Sequence, residues 1–226
     1  MIVYYCGSAA PERAEEAVRA AFPPLLAPRS APEARCRVVA APAGPVRERT
    51  DRLDVSQGKL ALGFRTGGVD VHHPLYPALL VCNALYGGTA SSRLFMNVRE
   101  KLSLCYFASS MVDKLKGLMV VSSGVEFENF QVAREEILAQ LRQLQAGEFT
   151  REELEAGRRA LVSSMRTLLD SQGRMEDYWL TGAVAGVEED PEGLITRLEA
   201  VEAEQVTDAT RHLELDTVYY LTGKEG

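Results

Sequence analysis

Histidine is scarce in this sequence. Of 226 residues only His72, His73 and His212 are histidines. His72 and His73 are adjacent, and neighbouring side chains point apart in any regular structure. They read as the lead-in to a helix, and His212 as a surface helix end with no second histidine near it. Cysteine is equally sparse, at positions 6, 36, 82 and 105, with no C-x-x-C pair. Cys82 falls in an apolar helix and Cys105 in an apolar strand. Buried reduced thiols are therefore expected, and a disulfide frame or zinc knuckle is disfavoured. The chain also lacks a Gly-rich phosphate loop, a G-x-S-x-G turn and any carboxylate cluster with a histidine. An independent enzyme of those classes is a poor reading. The serine pairs 91-92, 109-110, 122-123 and 163-164 read as caps, strand positions and helix faces.

Positive charge is in deficit. Lys and Arg number 25 against 32 Asp and Glu, a net charge of −7. Phosphate binding needs a basic surface, so no nucleic-acid partner is expected. Peptides with basic residues are electrostatically easier partners. No apolar run approaches the ~20 residues that span a bilayer, so no membrane partner is expected. The opening "MIVYYCGSAAPERAEE" has neither a basic n-region nor a long apolar stretch. A cytoplasmic location is the resulting expectation.

What is present is the balance of a folded protein, 46% apolar and 25% charged, long enough for one large domain or two small ones. "IVYYC" reads as a strand stopped by Gly7, and "PERAEEAVRAAF" as a helix. "PPLLAPRSAPEAR" and "AAPAGPVRER" hold six of the ten prolines and read as a linker around a short strand, "CRVVA". "GKLALGFRTG" reads as a strand. "PLYPALLVCNALYGG" is apolar almost all round, which marks a helix buried between layers. Gly87-Gly88 ends it, and Ser91 or Ser92 is placed to cap the next helix, to about Leu102. "LCYFASSMV" and "LMVVSSGV" flank "DKLKG" as a hairpin. Phe127, Phe130, Ala133, Ile137, Leu141 and Leu144 form one helical stripe. Gly147 stops it, and Thr150 with Glu153 forms a capping box for the next helix. Helices follow over about 173–185, 191–200 and 203–213, and "DTVYYLTG" closes the chain as a strand. The order implies an α+β fold with helices on one face of a mixed, mostly antiparallel sheet. "TVYYLTG" echoes the opening "IVYYCG". That echo reads either as a chance match over six residues or as two copies of a repeat's last strand. On the second reading residues 1–35 are the trailing strand, helix and linker of a preceding repeat, and 36–226 a domain.

The stretch "ALYGGTASSRLFMNVREKLSLCYF" resembles the insulinase (pitrilysin) family of zinc peptidases, which includes the mitochondrial processing peptidases. The glycine pair, Ser92, Arg93, Leu94, Phe95, Arg99, Glu100, Lys101 and Tyr106 fall in the family's register. "GEFTREELEAGRRALVSSM" resembles its helix-capping segment. The resemblance implies an α/β-roll domain, paired with a second that carries H-x-x-E-H and zinc. The non-zinc half supplies an arginine and a tyrosine seven positions apart that hold the peptide and help polarise its scissile carbonyl. Arg99 and Tyr106 match those positions. A guanidinium offers fixed donors to carbonyls or a carboxylate, and a phenol can stabilise an oxyanion.

H-x-x-E-H is absent. Laid on "LLVCN", its histidines fall on Leu79 and Asn83 and its glutamate on Cys82. No catalytic residue, metal ligand or cofactor is therefore expected in this chain alone, and zinc belongs to the partner half. The resemblance implies a non-catalytic, substrate-holding half. Its partners would be a zinc-bearing half, in the same parent chain or as a separate subunit, and a peptide substrate. The similarity extends to non-zinc members of bacterial pairs, including those named for association with elongation factor P modification. The alternative is a purely structural, scaffolding subunit with no peptide binding.

Overall fold

A computed structural model of the protein describes residues 2–22 and 41–224. It is α+β. The first helix, α1, spans Pro11–Ala21. Strands β1 (Arg47–Leu53) and β2 (Gly58–Arg65) follow. Helix α2 (Tyr76–Asn83) runs on as a π-helical turn, Ala84–Gly88, and α3 (Leu94–Lys101) is π-helical throughout. The hairpin β3 (Cys105–Asp113) and β4 (Leu118–Val125) comes next. Then come α4 (Phe130–Gln145), α5 (Arg151–Leu168), α6 (Gln172–Ala185), α7 (Pro191–Glu199), α8 (Ala203–Arg211) and β5 (Glu214–Gly223).

The strands form one sheet in the order β1-β5-β2-β4-β3. β1 runs parallel to β5, and the other pairs are antiparallel. Side chains alternate across a strand. Leu60, Leu62 and Phe64 of β2, Met119 and Val121 of β4, and Val218 and Tyr220 of β5 therefore reach one buried face. Leu79, Val81 and Cys82 of α2 and Ile137, Leu141 and Leu144 of α4 fill the core against them. The α2 helix is buried nearly all round, and its one polar interior residue is satisfied: Ser110 Oγ donates to Asn83 Oδ1 at 2.7 Å. The capping box of α5 is complete, with Glu153 N donating to Thr150 Oγ1 at 3.1 Å and Thr150 N to Glu153 Oε2 at 2.7 Å. Among the described residues no helix is long and apolar enough to cross a membrane.

Several expectations are corrected. Ile2–Cys6 forms no strand among the described residues, and Ile2, Val3 and Tyr5 are exposed. β1 starts in the last three residues of the segment read as a linker and runs on to Leu53. "RERTDRL" has no apolar alternation to betray it, because it is an exposed edge strand held by one neighbour. "CRVVA" lies outside the described residues. Neither Ser91 nor Ser92 caps α3: the Ser92 hydroxyl is buried without a hydrogen-bond partner among the described residues. Cys6 is exposed, while Cys82 and Cys105 are buried and free. His212 does have a histidine neighbour, since His73 lies with its ring centroid 6.2 Å away. Gly87 and Gly88 do not stop the helix through left-handed backbone. They are small for close approach: a Cβ would sit 2.6 Å from Ser110 N at Gly87 and 2.6 Å from Asn83 Nδ2 at Gly88.

Candidate functional site

Arg99 and Tyr106 are both presented by irregular backbone. Arg99 lies in α3, where Leu102 N donates to Asn97 O at 3.1 Å, five residues back. Long π-helical stretches are rare and concentrate at functional sites. The helix is then reversed by Ser103, whose φ is +51°, while Ser103 N donates to Arg99 O at 3.1 Å. Tyr106 follows at the start of β3, in a β-bulge. Cys105 pairs with Val125 and Phe107 with Gly124, which leaves Tyr106 opposite no residue of β4. A bulge re-aims a side chain, and both Tyr106 and Phe107 are consequently exposed.

α3 is pinned by its first turn and one side. Arg93, with a side chain only 11% exposed, grips Glu153 with two nitrogens at 2.9 and 3.1 Å, ties Gln143 at 3.2 Å and donates to Glu148 O. Burial raises the Glu153 pKa, but the Arg93 contacts and the Thr150 N–H outweigh it, so the net shift is downward. Asn97 Nδ2 donates to Gln140 Oε1 at 2.8 Å. These bonds fix the side of the helix that carries Arg93 and Asn97 against α4 and α5, and leave Arg99 on the side that faces the pocket.

Arg99 and Tyr106 line one open pocket of about 430 Å³ together with Glu100, Ser103, Cys105 and Glu126. The Arg99 guanidinium lies 4.6 Å above the Phe95 ring and 3.4 Å from Glu100 Oε1. Tyr106 is 55% exposed. Burial raises the Cys105 pKa, against opposing contributions from Ser123 and Arg99. That shift favours the thiol form of Cys105, which forms a wall of the pocket. The arrangement can offer a guanidinium, a phenol and an anionic rim to an extended ligand.

The positions that would carry zinc ligands do not fit a metal. Leu79 is fully buried hydrocarbon. Cys82 is fully buried, and its thiol is pushed up to about 12. Asn83 is engaged by Ser110. Among the described residues no group of three His, Cys, Asp or Glu side chains could hold a metal ion. The His73–His212 pair has no third donor among the described residues, and His73 Nδ1 accepts from Leu75 N at 3.1 Å. Sequence reasoning missed Phe95 and Glu126 as neighbours of Arg99. The four-residue spacing of Phe95 and Arg99 was a readable signal. Glu126 reaches the pocket only because Val125 pairs with Cys105, a contact no local pattern announces.

Residues 1–161 match the family described as the peptidase M16 inactive domain. A Bacillus subtilis protein named probable inactive metalloprotease YmfF is 36% identical over 180 residues, covering 80% of this chain and 42% of that protein. Another from the same organism, named uncharacterized zinc protease YmxG, is 30% identical over 169 residues, covering 73% and 40%. The chain spans about two fifths of the length of these relatives. The crystal structure of a conserved protein from Enterococcus faecalis V583 matches with a TM-score of 0.81 at 28% identity, over 92% of this chain and 50% of that one. A protease from Helicobacter pylori shares the fold with a TM-score of 0.82 at 19% identity, over 96% and 53%. This chain belongs to the M16, or insulinase, peptidase family, as its inactive domain.

Proposed function

We propose that this chain is the non-catalytic, substrate-holding half of an insulinase-type zinc metallopeptidase, with Arg99 and Tyr106 as its substrate-binding residues. The observation that carries the reading is the shared pocket, where a π-helix and a β-bulge turn both side chains to one opening. In this reading the pocket binds an extended peptide. The guanidinium takes a carbonyl or carboxylate of that peptide, and the phenol donates to the scissile carbonyl as charge develops on it. Zinc and the general base come from a partner domain or subunit, in the cytoplasm. Residues 1–35 belong with a preceding repeat. Two features support that division: α1 buries no residue, and Ile2–Cys6 has no strand partner among the described residues.

The test is a pull-down from the source lysate with this chain as bait, followed by assays of the eluate for zinc and for chelator-sensitive peptide cleavage. A zinc-bearing partner, with cleavage that falls when Arg99→Ala is the bait, is the expected result. A stable partner with neither zinc nor cleavage would establish the scaffold role instead.

A further inference from the structure

We propose that Phe95 and Glu100 are positioning residues that hold the Arg99 guanidinium as one unit, and that this holder directs it to a neutral peptide carbonyl in preference to an acidic side chain. The inference rests on the substrate-holding reading and names what that pocket accepts.

An arginine side chain is long, and fixing it costs conformational entropy. Arg99 is held on two sides before any ligand arrives. Below it, the Phe95 ring lies one turn back, 4.6 Å from the guanidinium carbon. Beside it, Glu100 Oε1 is 3.4 Å from Nη1. A planar cation stacked on a ring face keeps its in-plane N–H donors free to point outward. The side chain still has 40% of its surface open, so those donors remain available. Phe95 is itself half-buried on a helix pinned by Arg93 and Asn97, so the ring is a fixed platform.

The charge around the pocket decides the ligand. Glu100 already compensates Arg99, and Glu126 adds a second carboxylate to the same lining. One cation against two carboxylates leaves the lining net negative. A peptide carboxylate brought to Arg99 would meet that excess and would compete with Glu100. A backbone carbonyl takes the same donors without the repulsion.

The experiment is a titration of the 226-residue chain, followed by NMR. The probes are an uncharged, amidated peptide containing Gln, Ala and Tyr, and its variants with one Glu at each position in turn. Wild type is expected to bind the uncharged peptide best, with Glu at the position nearest Arg99 weakening binding about fivefold. Glu100→Gln should erase most of that loss. Phe95→Leu should weaken the uncharged peptide about threefold, and Phe95→Tyr, which keeps the ring, should restore it. The Arg99 side-chain protons should show ring-current displacement in wild type and Phe95→Tyr and lose it in Phe95→Leu. A Glu peptide that binds more tightly than the uncharged one, or a Phe95→Leu variant with unchanged affinity, overturns the proposal. If Arg99→Ala weakens binding while Phe95→Leu does not and Glu100→Gln leaves the Glu-peptide loss unchanged, only the holder fails. If Arg99→Ala binds as wild type does, or no peptide binds wild type, the substrate-holding reading fails and the holder with it.

Discussion

Ser103 is the one residue other than glycine with a left-handed backbone among the described residues, at φ +51°. It reverses the chain between Arg99 and Tyr106, so both depend on a conformation that a Cβ disfavours by roughly 1–2 kcal/mol. Glycine removes that penalty and gives some of it back as unfolded-state entropy. Ser103→Gly should therefore stabilise the fold by about 0.5–1 kcal/mol, read as a rise in the thermal midpoint. Arg93 is the opposite case, because its guanidinium is almost wholly buried and saturated by Glu153, Gln143 and Glu148. Arg93→Ala leaves a partly buried carboxylate unpaired and should cost about 3 kcal/mol in a denaturant titration. Its register beside Ser92 was legible in sequence, but its partners were not. They lie 50 to 60 positions further along the chain.

Elements were legible where one periodicity dominated. The apolar α2 helix, the β3–β4 hairpin, the α4 stripe and the Thr150–Glu153 box all follow local patterns that tertiary packing reinforced. β1 was illegible because an edge strand needs no apolar face, and five of its seven residues are charged. It is held to the sheet partly by Asp216 of β5, which accepts from Arg47 of β1 at 2.9 Å and Arg65 of β2 at 3.3 Å. Hydrogen bonds from Thr217, Arg47 and Arg65 hold the Asp216 carboxyl well below the usual carboxylate range. A depressed folded-state pKa means that this stabilisation is full above the unfolded value near 3.9 and is lost as pH falls through the folded one. Asp216→Asn should therefore destabilise the protein at neutral pH and flatten its acid-side stability curve below about pH 4. An unchanged slope would remove Asp216 from the account of β1. The glycine turn between α2 and α3 carries its own constraint. Gly87→Ala would drive a Cβ to 2.6 Å from Ser110 N, backbone that cannot yield cheaply, and should cost about 1–3 kcal/mol.

For the whole molecule, the legible part was the fold class and the family, and the illegible part was how the pocket closes. Arg99 and Tyr106 were visible only through the family resemblance. Their convergence depends on the π-helix, the Ser103 reversal and the bulge at Tyr106, three departures from regular structure that no periodicity encodes. The N-terminal stretch belongs to this scale as well. Because α1 buries no residue, deleting residues 1–22 should shift the stability of the remaining chain by no more than about 0.5 kcal/mol. A larger loss would show that α1 is part of this domain's core and would contradict its assignment to a preceding repeat.

The most direct measurement is kcat/KM for peptide cleavage by this chain assembled with the zinc-bearing half proposed for it, comparing wild type, Arg99→Ala and Tyr106→Phe at matched assembly and thermal midpoint. Loss of one transition-state donor should lower the value about 100-fold in Tyr106→Phe. Arg99→Ala should lower it too, with assembly intact. Wild-type turnover by both variants would contradict the substrate-holding role and leave the chain as a scaffold.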